Sequence, residues 1–226
     1  VLTGGAGTDV LTLILPQGGS ADFTGATLTG FEQIVIRGAT SPAAITGLNA
    51  GGAAIVYELT DGDDSFTGSD GAETVRGGAG HDTLDGGAGA DTLVGGEGDD
   101  TCAIEDPGDQ IVELSGQGVD TVQSALNWTL GAELENLTLV GDALNGSGNA
   151  SDNLISGTSA ANILSGHGGA DTLTGGGGDD TLDGGEGVDT AAFSGALKDY
   201  ALERLAGGEV RVTHAGGGWD GTDTLT

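Results

Sequence analysis

Residues 77–103 read GGAGHDTLD, GGAGADTLV and GGEGDDTCA, three consecutive nonamers of one pattern, G-G-x-G-x-D-x-U-x, with U a large apolar residue. Self-similarity at a short fixed period marks a chain built by stacking one small unit. Outward from this stretch the array runs from LTDGDDSFT and GSDGAETVR to IEDPGDQIV, covering 59–112. After the insertion Glu113-Leu114 it resumes as SGQGVDTVQ at 115–123. A second array at 148–192 reads GNASDNLIS, GTSAANILS, GHGGADTLT, GGGGDDTLD and GGEGVDTAA, and an isolated copy, GGAGTDVLT, sits at 4–12.

Each position has a physical reading. Glycines at positions one, two and four are expected to allow backbone angles that a Cβ would forbid, so that six residues close a tight turn with carbonyls directed into it. The Asp at position six closes that turn with a carboxylate. Positions seven to nine then form a very short strand, with β-branched Thr on the pleat and U directed inward. Two nonamers make one coil of 18 residues, and stacked coils make two parallel sheets with the U residues between them. The inward set is Phe66, Val75, Leu84, Leu93, Cys102 and Ile111 in the first array, and Ile155, Leu164, Leu173, Leu182 and Ala191 in the second.

One apolar side chain for every nine ordered residues is a thin core, and stacking brings the position-six carboxylates close together. A hard divalent cation answers both problems, because calcium accepts six to eight oxygens and mixes carboxylates with carbonyls. A turn lies above the turn two nonamers earlier. The expected pairs are therefore Asp64 with Asp82, Glu73 with Asp91, Asp82 with Asp100 and Asp91 with Asp109. In the second array they are Asn153 with Asp171, Asn162 with Asp180 and Asp171 with Asp189. The Asn-bearing pairs lack one charge and should bind weakly or not at all. Asp109 is weakened by Pro107, which stands where glycine belongs. Roughly five to seven ions at about 0.1 to 1 mM affinity are expected, the range of extracellular calcium modules.

Composition agrees. Thirty-five acidic residues face five basic ones, for a net charge of -30, which argues against nucleic acid and anionic membranes as partners. The 48 glycines and scarce aromatics (four Phe, two Trp, two Tyr) would otherwise mark a disordered chain, the state expected without calcium. A lone cysteine, Cys102, permits no internal disulfide and reads as a small core hydrophobe at a U position. No apolar run is long enough to span a membrane and no signal peptide is visible. The start at Val1 without methionine and the stop at Thr226 inside a strand-like run read as a piece of a longer protein.

The nonamers resemble the RTX (hemolysin-type) calcium-binding repeats over roughly half the chain. That resemblance implies an all-β fold, a right-handed parallel β-roll or β-helix solenoid with calcium in the turns, extracellular or cell-surface location and type I secretion. It also implies that Asp64, Asp82, Asp91, Asp100, Asp171, Asp180 and Asp189 chelate with turn carbonyls, whereas Glu73, Asn153 and Asn162 depart from the pattern.

Between the arrays, LTGFEQIVIRG at 28–38 and LGAELENLTLVG at 130–141 echo one another with alternating apolar residues, as expected of longer metal-free coils. The expected organisation is β-helical coils with one isolated nonamer over 1–58, a calcium array over 59–123, metal-free coils over 124–147 and a second calcium array over 148–192. A cap-like segment over 193–226 follows, with a hairpin from Tyr200–Leu205 and Glu209–Thr213, and a cap of this kind covers a sheet edge. His81 and His167 occupy variable turn positions and read as solvent-facing. Trp128 and Trp219 read as packing residues at an array boundary and in the cap. With no lysine-bearing phosphate loop, no catalytic signature and no basic cluster to hold a polyuronate, the chain reads as a non-enzymatic calcium-binding scaffold, adhesin or surface-layer element. Its partners are then calcium, further copies of itself or cell-surface glycans. The alternative is a secretion and folding module appended to a secreted metallopeptidase, lipase or alginate epimerase.

Overall fold

The nine-residue period of the sequence becomes an 18-residue step between neighbouring strands: Leu84 pairs with Phe66 on one side and Cys102 on the other, all in parallel. A computed structural model describes residues 2–3, 7–14, 21–22, 28–31, 33–37, 44–46, 55–215 and 220–226. The chain divides into two units, Val1–Asp120 and Thr121–Thr226, and each is an all-β parallel solenoid. The opening Gly4–Ala6 of the isolated nonamer and Trp219 lie outside the described residues.

In the first unit one parallel sheet contains Ala44–Thr46, Ser65–Ser69, Thr83–Gly87 and Thr101–Ile104. The opposite sheet contains Val10–Ile14, Gln33–Arg37, Ile55–Glu58, Glu73–Ala79, Thr92–Glu97 and Gln110–Val112. Inward residues of both sheets meet in one apolar stack of Tyr57, Leu59, Phe66, Val75, Leu84, Leu93 and Cys102, all buried. Tyr57 and Phe66 pack with ring centroids 4.7 Å apart. Ile111 is only partly buried against this stack. The coils before the array are longer, Val10 pairing with Gln33 and Gln33 with Val56, as expected of sequence without tight glycine turns.

In the second unit Thr121–Ser124, Asn136–Leu139, Leu154–Ser156, Thr172–Thr174 and Thr190–Ala191 form one parallel sheet. The other contains Trp128–Thr129, Asn145–Ser147, Ile163–Ser165 and Thr181–Asp183, and continues into Thr222–Leu225. Ile155, Leu164, Leu173 and Leu182 are buried as their U positions require, together with Leu130, Leu134, Leu137, Leu139 and Ala143 of the intervening coils. Ala191 is half-buried. Gly146 occupies an inward position between Trp128 and Leu164, where an added Cβ would come 3.1 Å from Leu137 and 3.2 Å from Leu164.

Two features differ from the sequence reading. In the first array parallel pairing runs on through the next glycines, with Gly78 opposite Gly96 and Ala79 opposite Glu97, so the strands there are longer than positions seven to nine. The hairpin forms between Tyr200–Arg204 and Val210–His214, but it does more than cover an edge. It returns the chain so that Thr222–Leu225 adds in parallel to Thr181–Asp183.

Candidate metal centre

Position six builds a ladder. Its carboxylate reaches back one coil and accepts the backbone N–H of the preceding position six. Asp64 N–H donates to Asp82 Oδ1 at 2.7 Å, Glu73 to Asp91 at 2.7 Å, Asp82 to Asp100 at 2.7 Å and Asp91 to Asp109 at 3.0 Å. In the second array Asn153 donates to Asp171 at 2.8 Å, Asn162 to Asp180 at 2.7 Å and Asp171 to Asp189 at 3.0 Å. Every pair expected from the nonamer spacing is brought together, and all of these side chains except the half-buried Asp189 are buried.

The second oxygen separates the residues into two kinds. Asp64 Oδ2 accepts from the N–H and hydroxyl of Thr60 at 2.7 and 2.8 Å, and Asp109 Oδ2 from the N–H groups of Glu105 and Asp106 at 3.2 and 2.9 Å. The asparagines are satisfied as well. Asn153 Nδ2 donates to the carbonyls of Leu134 and Glu135, and Asn162 Nδ2 to those of Ala143 and Leu144. By contrast, Oδ2 of Asp82, Asp91, Asp100, Asp171 and Asp180 is buried and meets no donor. A buried anionic oxygen without a donor is costly, and its repetition at equivalent positions suits a bound cation.

Those oxygens share their space with carbonyls. The point where a Cβ on Gly77 would stand lies 2.1 Å from Asp82 Oδ2 and 2.5 Å from the Gly95 carbonyl oxygen, and on Gly166 it lies 2.1 Å from Asp171 Oδ2 and 2.5 Å from the Gly184 oxygen. Position one is therefore glycine to leave room for the carboxylate and not, as the sequence suggested, to reach an unusual backbone angle. The left-handed region is used at positions two and four, as at Gly78 (φ 115°) and Gly80 (φ 120°). Hard oxygens, mixed between carboxylate and carbonyl, suit calcium.

The electrostatics agree. Burial pushes the carboxyls of Asp82 and Asp91 up to about 7 and that of Asp100 up to about 6, partly offset by the backbone N–H each accepts and reinforced by neighbouring acids. Asp171 and Asp180 are raised for the same first reason.

The model of the RTX calcium-binding nonapeptide repeat matches this chain in four copies, at residues 67–102 and 156–191. The chain carries RTX calcium-binding nonapeptide repeats. The RTX match encloses Asp82, Asp91, Asp100, Asp171 and Asp180 and excludes Asp64, Asp109 and Asn153, so the chain is a calcium-binding structural module. A stretch of 45 residues, 20% of this chain, is 44% identical to endo-1,3-1,4-beta-glycanase ExsH of Rhizobium meliloti (strain 1021). That alignment spans 10% of the glycanase's length. No solved structure matches the chain. No helix among the described residues is long and apolar enough to cross a membrane.

Sequence reasoning missed three acids. Asp120 stands at position six of the displaced nonamer 115–123 and accepts the Asp100 N–H at 2.9 Å. Asp223 does the same for Asp180 at 2.8 Å, because residues 221–225, GTDTL, repeat the G-x-D-T-U core of the nonamer. Glu113 reads in the sequence only as part of an insertion. Position five was also undervalued: Asp63, Asp99, Asp152 and Asp179 each accept a backbone N–H from the following coil. His81 is exposed, as expected, and its Nδ1 accepts the Asp99 N–H at 2.8 Å.

Proposed function

We propose that this chain is the part of a secreted or cell-surface protein that folds when it meets extracellular calcium and then serves as a rigid scaffold, adhesin or surface-layer element. The supporting observation is the set of five buried Oδ2 atoms without donors, at Asp82, Asp91, Asp100, Asp171 and Asp180. Calcium, when bound, supplies the positive charge that turns these repelling carboxylates into bridges. Where calcium is scarce the same carboxylates oppose stacking and the thin core does not compensate, so the chain stays extended and exportable. Regularly stacked acidic turns then offer repeating oxygen-rich faces to copies of the chain or to cell-surface glycans.

Far-UV circular dichroism of chelator-treated protein, titrated with calcium and in parallel with magnesium, tests this reading. A cooperative gain of β signal near millimolar calcium, absent with magnesium, is expected. A spectrum already folded in chelator and unmoved by calcium overturns it.

The likeness to the glycanase ExsH favours a second reading, in which the module serves the secretion and folding of an attached enzyme. The two separate in the parent protein: deleting the module should abolish calcium-dependent recovery of enzymatic activity in the second case, and surface attachment or assembly in the first.

A further inference from the structure

The insertion Glu113-Leu114 interrupts an otherwise regular stack, and the structure shows what it accomplishes. At Gly148, Gly157 and Gly166 the N–H of the position-one glycine donates to a backbone carbonyl of the next coil, that of Ser165, Thr174 and Asp183, each at 2.8 Å. At Gly95 that partner is replaced by a side chain. Gly95 N–H donates to Glu113 Oε1 at 2.9 Å, and Gly96 N–H contacts Oε2 at 3.3 Å. The two extra residues lengthen the step from Asp100 to Asp120 to 20 residues. They also turn the Glu113 carboxylate toward Gly95, into the place equivalent to the one that the Gly95 carbonyl fills beside Gly77.

Three carboxylates consequently converge. One oxygen each from Asp100, Glu113 and Asp120 lies within 4.8 Å of the other two. Asp100 Oδ2 and Glu113 Oε1 both stand 2.4 Å from the point where a Cβ on Gly95 would be. Asp100 is 1% exposed and its Oδ2 has no donor, so a buried anionic oxygen is aimed into the cluster with nothing from the protein to meet it. Asp120 is buried and held by the Asp100 N–H, while Glu113 is half-buried and held by the two glycine N–H groups. The three groups are thus held by backbone N–H groups with one oxygen of each close to the other two.

We propose that Asp100, Glu113 and Asp120 form a three-carboxylate site for a hard divalent cation, distinct from the ordinary nonamer turns because a glutamate carboxylate replaces a glycine carbonyl. This inference rests on the calcium-binding reading and deepens it: added ligand charge tightens calcium sites of comparable geometry, so this site fills first. It holds the displaced nonamer in register before the weaker turns are occupied.

Isothermal titration calorimetry of the whole chain with calcium chloride, comparing wild type with Glu113→Gln and Glu97→Gln, tests the proposal. Glutamine at 113 keeps an oxygen for the Gly95 N–H and removes only charge. Glu97 is exposed in the same turn and outside the cluster, so it controls for net charge. The expected result is one site tighter than the rest in wild type and in Glu97→Gln, weakened about tenfold or more in Glu113→Gln, with the remaining isotherm unchanged. Equal isotherms for the three proteins, or equal weakening by both substitutions, overturn the proposal while leaving the nonamer sites standing. Absence of any calcium heat in wild type overturns the calcium-binding reading itself. Circular dichroism at saturating calcium verifies that each variant is folded.

Discussion

At position six the difference between aspartate and asparagine is one of who supplies the partner. Asn162 directs its amide at the carbonyls of Ala143 and Leu144, 3.1 and 3.2 Å away, while its Oδ1 accepts the Thr158 N–H at 2.7 Å. The rung is closed by the protein alone. Asp180, its partner one coil on, accepts the Asn162 N–H at 2.7 Å and leaves Oδ2 without a donor. Substituting Asn162→Asp would set a buried oxygen against two carbonyl oxygens, an arrangement unfavourable by about 1–3 kcal/mol for an unsatisfied buried group, more if ionised. The variant should lose that stability at the lowest calcium concentration that folds both proteins, measured by urea unfolding, and recover it as calcium rises with one additional ion bound. Equal loss at low and at saturating calcium would mean that this rung cannot be converted into a cation site.

At the scale of strands and turns, the nonamer period made the 18-residue register, the inward residues and the position-six pairs legible, because glycine, aspartate and the U residue each have one workable place in so short a unit. Less was readable where one residue does two things. Position-one glycine looks like a conformational choice, yet Gly77 is constrained by the Asp82 carboxylate packed upon it. His167, which reads as a variable turn residue, stands instead at position two with φ 73°, an angle the pattern reserves for glycine. Nor does local sequence reveal the last turn, since Asp223 meets Asp180 across 43 residues and only the hairpin brings the chain back. That junction can be tested. Asp223→Ala removes the acceptor of the buried Asp180 N–H and should lower stability by about 1–3 kcal/mol in calcium. Amide hydrogen exchange at Asp180 should become faster, with the first array unaffected. Protection of that amide equal to wild type would show that the final strand is held by sheet pairing alone.

For the chain as a whole, the dominant fact is a net charge of -30 with part of it drawn into dry turns. Burial raises Asp82, Asp91, Glu113 and Asp223 to about 7 and Asp100 to about 6. The ordinary values of these groups are 3.8 for Asp and 4.5 for Glu. Folding without metal therefore takes up protons between about pH 4 and 7, and by linkage the metal-free solenoid is favoured at acidic pH and loses that contribution as pH rises through about 6 to 7. With calcium the direction reverses, because ion and proton compete for the same oxygens. In chelator, far-UV circular dichroism should gain β signal as pH falls from 8 toward 5. In calcium, the midpoint concentration for folding should rise over the same interval. Opposite responses under the two conditions are what distinguish site carboxylates from mere surface repulsion, which acidification relieves whether or not calcium is present. A metal-free spectrum independent of pH between 8 and 5 would show that these carboxylates do not oppose folding, and that the demand for calcium has another origin.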